Sequence, residues 1–459
     1  MMDASVLKAV AFPTADRDLW LKLVEKALKG ADIEQTLTSR TDDGLKVEPL
    51  YPRRANAAPI PRRAPEKPWA VTQRMDDPDQ QRAESQMADD LANGANGISL
   101  VFRDSPSAFG LGMETIREDV FSALVGAGAE KSFSIRLEGG AQGGQAAKIL
   151  AEALEANGAA CPHFGIDPLG TRAYGATAAD LTTLAHTFKD LLPSRLEGTI
   201  LNADGRPVHN AGGTEAQELA FMAAALAEYL RLLDQANVSC DAVLAATGLC
   251  LAADQDQFLT MAKARAARLI FARMAEACGI DAAIKAHLFM ETSHRMLTRL
   301  DPETNLLRNT IAVFAAGTGG ADEISVLPHT LVHGIPDAAA RRLARNTQTI
   351  LIAESHLDHV ADPAAGAGGI ETLTDDLAEK AWEIFTDIER AGGLAKAISD
   401  GRIRSMVAEA RRNRPDRPIV GTALFPMKAE RPVAVLGELR PIADHVCLRP
   451  IRLAEENRG

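Results

Sequence analysis

The densest group of side chains that could do chemistry lies in residues 200–217, ILNADGRPVHNAGGTEAQ. The polar residues Arg206, His209 and Asn210 follow a short apolar run, and Thr214 follows two glycines where a helix begins. Free amides at a helix start could hold a phosphate or another anion. The spacing of Thr214 and Gln217 also fits a capping box, in which the glycines only form the turn. We favour the capping box, and keep Arg206, His209, Asn210 and Thr214 as candidates for substrate binding.

A second group has metal-ligand residue types at close spacing. It consists of Glu354, His356, Asp358, His359 and Asp362 in ESHLDHVADP. The H-E-x-x-H pattern is absent, and nothing places three of these side chains on one helix face. We therefore predict a solvated helix end followed by an Asp-Pro turn, and no metal site.

Three cations in MAKARAAR, residues 261–268, could clamp a phosphate. Lys263, Arg265 and Arg268 are spaced along one predicted helix. Cations at helical spacing usually keep their charged ends in water, so we predict a solvent-exposed face. Neither Ser-His-Asp nor paired-carboxylate catalysis has a local signature in the sequence.

The strands and helices that position these residues can be predicted from the sequence. Short apolar runs alternate with segments in which apolar residues recur at the helical period. The eight runs are residues 68–75, 96–102, 132–137, 161–166, 197–203, 241–251, 286–292 and 322–328. Eight strand–helix units predict an α/β fold of the (β/α)8 TIM barrel type, because each parallel strand needs a crossover helix. A doubly wound open sheet is the alternative, but the sequence has neither a G-x-G-x-x-G nor a phosphate-loop motif. We prefer the barrel.

Both ends of the chain differ from this alternation. Residues 14–30 predict an amphipathic helix with Thr14 as N-cap and Gly30 as its stop. The Pro- and Arg-rich residues 52–68 predict an extended arm. We expect a helix and subunit-contact arm over 1–67, the barrel over 68–400, and a C-terminal helix and tail over 401–459.

Composition limits the classes of partner and compartment. The formal charge of −12 argues against nucleic acid or an anionic membrane as the main partner. The five cysteines form no C-x-x-C pair, which indicates free thiols in a reducing compartment. The N-terminus lacks a signal peptide pattern, and no apolar run reaches the ~18 residues that would span a bilayer. We expect a cytoplasmic protein.

Several segments together resemble the coenzyme-B12-dependent acyl-CoA mutase family, which includes methylmalonyl-CoA mutase. They are LWLKLVEKALKG with DGLKVEPLY, then KPWAVTQR, TMAKARAARLIFAR, RLARNTQTILIAES, ETLTDDLAEKAWEIF and AGGLAKAISDG, and the resemblance as a whole runs from about residue 17 to about residue 450. The resemblance implies an acyl-CoA that threads the barrel axis. It also implies adenosylcobalamin between the barrel mouth and a C-terminal cobalamin-binding domain, with radical chemistry supplied by the cofactor.

The sequence departs from that family at two positions. Active members carry a His where this chain has Pro207, and a Tyr just after the first strand where the matching stretch here ends at Arg74. Pro has no side-chain donor or acceptor. We therefore treat Arg74 and Pro207 as degenerate positions, and name no catalytic residue. A third departure is that D-x-H-x-x-G, which supplies the lower axial His, is absent, so we expect no cobalamin-binding domain in this chain.

Two further segments, HNAGGT and FMETSHRMLTRLDP, are similar to the small subunits of heterodimeric bacterial mutases. This implies a non-catalytic barrel subunit in a methylmalonyl-CoA to succinyl-CoA isomerase, with a large catalytic subunit as partner. Adenosylcobalamin would belong to the complex and not to this chain alone, and whether any acyl-CoA enters this barrel stays open. One alternative is an active barrel that works with a separate small cobalamin-binding chain. Another is a barrel that binds a CoA ester or regulates the mutase from outside the complex.

Overall fold

Eight parallel strands close into a barrel in a computed structural model that describes residues 16–60, 63, 67–114, 117–128, 133–157, 161–175, 181–195, 197–281 and 285–456. The barrel strands are β3 (Ala70–Met75), β4 (Gly97–Val101), β5 (Ser134–Glu138), β6 (Cys161–Ile166), β7 (Thr199–Asp204), β8 (Thr247–Ala253), β9 (His287–Thr292) and β10 (Glu323–Ser325). They pair in sequence order, and β10 closes the ring by pairing with both β9 and β3. The predicted (β/α)8 barrel is confirmed.

The sixth barrel strand begins later than the sequence pattern predicts. The prediction of a strand over 241–251 is wrong in its first half, because Cys240–Ala245 form a helix and β8 begins at Thr247. Ser239 takes extended backbone just before this helix, and Asp241 lies in its first turn, where an acidic side chain is favoured. The apolar residues Val243 and Leu244 therefore belong to a helix, and their side chains are buried.

Helices return the chain between strands and surround the barrel. They are α3 (Gln80–Ala92), α4 (Glu118–Gly128), α5 (Gly143–Asn157), α6 (Pro168–Tyr174), α7 (Leu184–Leu191), α8 (Arg206–Asn210), α9 (Glu215–Asp234), α10 (Cys240–Ala245), α11 (Gln257–Ala277), α12 (Thr304–Gly319) and α13 (Ala338–Ala353). A long helix, α14 (Gly368–Arg390), then packs against α9 and α11, and α15 (Leu394–Ser399) follows it. Within the described part of the chain, none of the helices combines the length and the apolar character needed to cross a membrane.

The cations of α11 are buried, so the prediction of a solvent-exposed face is wrong. Lys263, Arg265 and Arg268 are each at most 6% exposed. The helix is covered by α14, and each cation has an acidic partner: Glu218 for Lys263, Asp362 and Glu371 for Arg265, and Asp322 for Arg268. Burial of a charge is tolerated when it is paired and hydrogen-bonded, which a sequence pattern does not reveal.

The N-terminal arm consists of α1 (Arg17–Leu28), α2 (Ile33–Leu37) and a hairpin of β1 (Ser39–Arg40) and β2 (Lys46–Val47). Thr14, the predicted N-cap, lies outside the described residues, and Asp16 caps α1 by accepting from the Leu19 amide. The extended residues beyond the hairpin lie on this chain's own barrel, since the Ile60 amide donates to Asp362. The arm's contact with a second subunit stays a prediction.

The C-terminal part begins with α16 (Arg402–Asn413) and continues as a tail, residues 414–456, that ends in the short helix α17 (Leu453–Glu456). Backbone amides of Arg440, Cys447 and Ile451 donate to carbonyls of Gly110, Tyr174 and Asn210, at 2.8–3.0 Å. These three carbonyls follow the second, fourth and fifth barrel strands. The tail therefore lies along the end of the barrel where active sites of this fold are built.

Candidate functional site at the barrel mouth

Six ionisable side chains fill the barrel axis at its C-terminal end. This mouth cluster consists of Arg74, Asp76, Glu138, Asp204, Arg206 and Glu291, none more than 7% exposed. Arg74 donates to Glu291 at 2.6 Å and to Asp76 at 2.7 Å. Arg206 donates to Asp204 at 2.6 Å and to Glu138 at 2.8 Å, and its Nη1 lies 3.5 Å from Glu291. The two guanidinium groups are thus joined through Glu291 into one network.

The carboxylates of the mouth cluster keep both of its arginines in the cationic form. Burial tends to lower the pKa of Arg206, but the carboxylates of Asp204 and Glu138 outweigh it and hold that pKa above its usual value. The pKa of Arg74 is likewise raised, because Glu291 and Asp76 outweigh burial. Burial raises the pKa of the Asp204 and Glu291 carboxyls. Both arginines therefore stay cationic at any physiological pH.

A stack of two rings lies next to this cluster at the mouth. Phe109, in the loop after the second strand, stacks on His294, just after the seventh, with ring centroids 4.4 Å apart. The Arg74 guanidinium lies 5.7 Å from the Phe109 centroid and donates to the Ser107 carbonyl at 2.7 Å. Burial, with help from Arg452, lowers the pKa of His294 to about 3, so the ring is neutral. The stack joins the loops after the second and seventh strands, and both rings are buried.

A second charged layer fills the axis deeper in the barrel. Arg136 donates to Glu323 at 2.7 Å, and its guanidinium carbon lies 4.0 Å from the ring centroid of Phe289. Arg136 and Glu323 are fully buried. Cationic stacking on an aromatic face and a charge-assisted hydrogen bond both fix the guanidinium in place. The axis is therefore occupied at two levels by side chains of this chain.

The structure separates the four residues that the sequence grouped after the fifth strand. Arg206 belongs to the mouth cluster, whereas His209 turns away, with its Nε2 2.8 Å from Ser293 Oγ. Asn210 accepts from the His294 amide, and Thr214 forms the predicted capping box with Gln217. The capping box is confirmed, and these four do not form one substrate site. Pro207 lies in the first turn of α8 and is buried.

The start of α9 already has a hydrogen-bond partner, supplied by the arm. Asp43, in the hairpin turn, accepts from the Ala216 amide at 3.2 Å. Burial, together with the neighbouring Glu215, raises the pKa of the Asp43 carboxyl to about 7. The helix start thus holds a carboxyl group of this chain, and this contact fixes the arm to the barrel.

His209 is the centre of a buried network that the sequence did not reveal. Its Nδ1 lies 3.1 Å from Glu218 and its Nε2 3.2 Å from Asp254. Lys263 donates to Glu218 at 2.5 Å, and Arg295 donates to Asp254 at 3.0 Å. Burial tends to raise the pKa of Glu218, but Lys263 and His209 outweigh it and lower that pKa to about 2. The carboxylates are neutralised by fixed cations, so the network is suited to holding α9, α11 and the seventh loop together.

The group in residues 354–362 is dispersed. Asp362 pairs with Arg265, while His356 and His359 stack with ring centroids 4.8 Å apart and lie near or at the surface. Sequence reasoning also missed Glu138 and Glu291, which complete the mouth cluster. The available signal was their position, because each is an acidic residue at or next to the C-terminal end of a barrel strand.

Comparison with known proteins agrees with this architecture. Residues 197–437 match the family model described as methylmalonyl-CoA mutase. The methylmalonyl-CoA mutase small subunit of Streptomyces virginiae is 37% identical over 464 residues, which cover 94% of this chain and 74% of that protein. The small subunit of Propionibacterium freudenreichii subsp. shermanii is 31% identical, covering 92% of this chain and 70% of that protein. A methylmalonyl-CoA mutase of Cereibacter sphaeroides is 27% identical, and the match covers 96% of this chain and 68% of that protein. With this extent of similarity and a closed eight-stranded barrel, the chain belongs to the methylmalonyl-CoA mutase family.

Proposed function

We propose that this chain is a non-catalytic barrel subunit of a heteromeric, adenosylcobalamin-dependent methylmalonyl-CoA mutase. It supports a large catalytic subunit that isomerises methylmalonyl-CoA to succinyl-CoA. The relatives whose names include "small subunit" imply such a partner for those proteins. The supporting observation within this chain is the filled barrel axis.

An acyl-CoA that threads a barrel needs an open axial path to the mouth. Here the path is filled at the Arg136–Glu323 level and again at the mouth cluster. Opening it would separate buried ion pairs, and breaking one such pair costs about 3–5 kcal/mol. The carboxylate of methylmalonyl-CoA could pair with one guanidinium, but the acyl group offers no cation for the buried carboxylates that would lose their partner. The residues present therefore favour a closed axis.

The mouth does not fit adenosylcobalamin either. A corrin ring is broad and flat, and it would need an open mouth against which to lie. The Phe109–His294 stack lies at that opening, and the tail is hydrogen-bonded along it at Gly110, Tyr174 and Asn210. Arg74 lies beneath the stack, where a charge would face the reacting centre. We derive no catalytic step through this cofactor in this chain.

The two degenerate positions agree with this proposal. Arg74 is one of the two cations of the mouth cluster, so it closes the axis as well as replacing a Tyr. Pro207 places no donor or acceptor where active members have a His. The alternative of an active barrel served by a separate cobalamin-binding chain would need the same open axis and mouth. The filled axis counts against it.

The arm offers a surface for the partner. Helix α1 has no buried residue, and Leu19 and Leu23 are 45% and 59% exposed. Two large apolar side chains on one exposed helix face favour burial against another protein. We assign this face to contact with the large subunit. The predicted cytoplasmic location and the domain limits at residues 67 and 400 remain part of the proposal.

Native mass spectrometry of the chain purified from its host tests the proposal. We expect a stoichiometric complex with one larger chain, and mutase activity in that complex. Substituting a catalytic residue of the larger chain should abolish all turnover. Recovery of this chain with only a small cobalamin-binding protein, together with mutase activity, would contradict the proposal.

A further inference from the structure

The end of the barrel opposite the mouth contains a group of donor side chains that the proposed function does not use. This floor cluster consists of Cys161, His163, His287 and Glu323. They come from β6, β9 and β10, strands that are remote in sequence. Glu323 Oε2 lies 3.2 Å from His287 Nε2 and 4.0 Å from His163 Nε2, and Cys161 Sγ lies 3.9 Å from His163 Nε2.

These donors are those that zinc takes in proteins. Zn²⁺ is held by imidazole, thiolate and carboxylate groups at about 2.0–2.3 Å, which places neighbouring donors of a tetrahedron about 3.3–3.6 Å apart. The donor atoms of His163, His287 and Glu323 all lie within 4.8 Å of one another. The spacing of these three donors thus needs only a small contraction, whereas Cys161, whose Sγ is close to His163 alone, must move further to complete the set. The two imidazole rings stack with centroids 4.1 Å apart at 26°, so an ion bound by both would make them splay.

Outer contacts already orient two of the donors. His163 Nδ1 lies 3.0 Å from Thr199 Oγ1, which leaves Nε2 facing the cluster. The other oxygen of Glu323, Oε1, accepts from Thr72 Oγ1 at 2.7 Å. Such second contacts fix the ring orientation of a ligating His and are typical of metal sites. Arg136 donates to Glu323 Oε2 as well, so the carboxylate would be shared between the guanidinium and the ion.

The floor cluster also has a route of entry. The His287 side chain is 25% exposed, and Cys161 is partly exposed. The other group of suitable spacing, His209 with Glu215 and Asp254, is fully buried, and Arg295 pairs with both of its carboxylates. The two groups therefore differ in access.

We propose that the floor cluster binds one Zn²⁺ ion through His163, His287 and Glu323, with Cys161 as the fourth donor, and that the ion joins three strands of a barrel that carries no substrate. Its role is structural, because no open path links this level to the mouth. Binding replaces the Cys161 thiol proton by a Zn–S bond, and the proton leaves to solvent. This inference does not depend on the proposed function.

The test uses the purified chain after dialysis against a chelator. Titration with Zn²⁺ against a chromophoric chelator should show about one equivalent bound, and thermal unfolding should shift upward with added Zn²⁺. His287→Gln should weaken Zn²⁺ binding by about tenfold or more, since changes to outer contacts alone cost that much. His186→Gln is the matched control, because His186 lies at the surface with its side chain 80% exposed, and it should bind as the wild type does.

Cobalt gives a second readout that does not depend on the His287 variant's stability. Co²⁺ bound by the wild type should show the visible bands of a tetrahedral site, with a thiolate charge-transfer band that Cys161→Ser removes. Absence of Zn²⁺ uptake by the chelator-treated chain would overturn the proposal. So would His287→Gln, shown by circular dichroism to be folded, binding Zn²⁺ as tightly as the wild type.

Discussion

Replacing Arg206 by Met removes one of the two cations that hold the mouth cluster together. The guanidinium lies 2.6 Å from Asp204, 2.8 Å from Glu138 and 3.5 Å from Glu291. Arg74 still pairs with Glu291 in the variant, but Asp204 and Glu138 lose their cation. Breaking a buried ion pair by removing one partner costs about 3–5 kcal/mol. We expect Arg206→Met to unfold at a clearly lower urea concentration than the wild type.

The pH dependence of this variant has a definite sign. Burial already raises the pKa of the Asp204 carboxyl in the folded wild type, and removing Arg206, which opposes that rise, raises this pKa further. The folded variant then holds more protons than the unfolded chain, so its stability falls as pH rises. Each carboxyl held protonated contributes a loss of about 1.4 kcal/mol per pH unit. As pH rises above the ordinary Asp pKa of about 3.9, the variant's urea midpoint should therefore fall more than that of the wild type.

Circular dichroism during urea unfolding measures both effects. Arg390→Met is the matched control, since its pair with Asp387 at 2.7 Å is 74% and 68% exposed, and such surface pairs contribute about 0–1 kcal/mol. Adding Glu138→Leu to Arg206→Met removes one of the two unpaired carboxylates and should recover part of the loss. Equal midpoints for Arg206→Met and Arg390→Met, or a variant that gains stability as pH rises, would refute the reasoning.

Two further predictions concern the arm. The folded-state pKa of Asp43 is raised to about 7, so the hairpin's attachment to α9 is fully present at low pH and is lost as pH rises through that value. The protection factors of the hairpin amides, which correct for the intrinsic pH dependence of hydrogen exchange, should fall accordingly in the wild type. Asp43→Asn should remove that pH dependence, and a persistent dependence would exclude Asp43 as its cause. Leu19→Asp with Leu23→Asp should weaken binding to the large subunit by about tenfold or more in size-exclusion or titration assays, because burying a Leu contributes about 1.5–3 kcal/mol. Lys22→Gln, on the same helix, is the control. If the double variant and this control bind the large subunit with equal affinity, the assigned contact face is wrong.

The sequence predicts the barrel because the strand–helix alternation is a local pattern, and each segment shows it without information from the rest of the fold. Its least regular segment, residues 241–251, is the one where the structure differs, since a short helix precedes β8 there. The position of that boundary depends on packing against α9, which no local pattern contains.

The site was predictable only in part, for a related reason. Arg74 and Arg206 could be named from the sequence, but their partners Glu138 and Glu291 lie on other strands. Only closure of the barrel brings them within 3 Å. The buried cations of α11 were misjudged on the same ground, because Lys263 is buried by a pair with Glu218 on a different helix. Long-range charge pairing decides burial, and it has no signature in spacing.

An isomerisation assay on the purified chain tests most directly whether this barrel is closed to catalysis. The chain is supplied with methylmalonyl-CoA, adenosylcobalamin and a separately purified cobalamin-binding chain, and succinyl-CoA is measured against a blank without protein. With Arg74, Arg206 and the Phe109–His294 stack filling the mouth, we expect no succinyl-CoA above the blank, while the complex with the large subunit turns over in the same buffer. Steady formation of succinyl-CoA without any large subunit would show that the axis opens, and it would contradict the non-catalytic assignment.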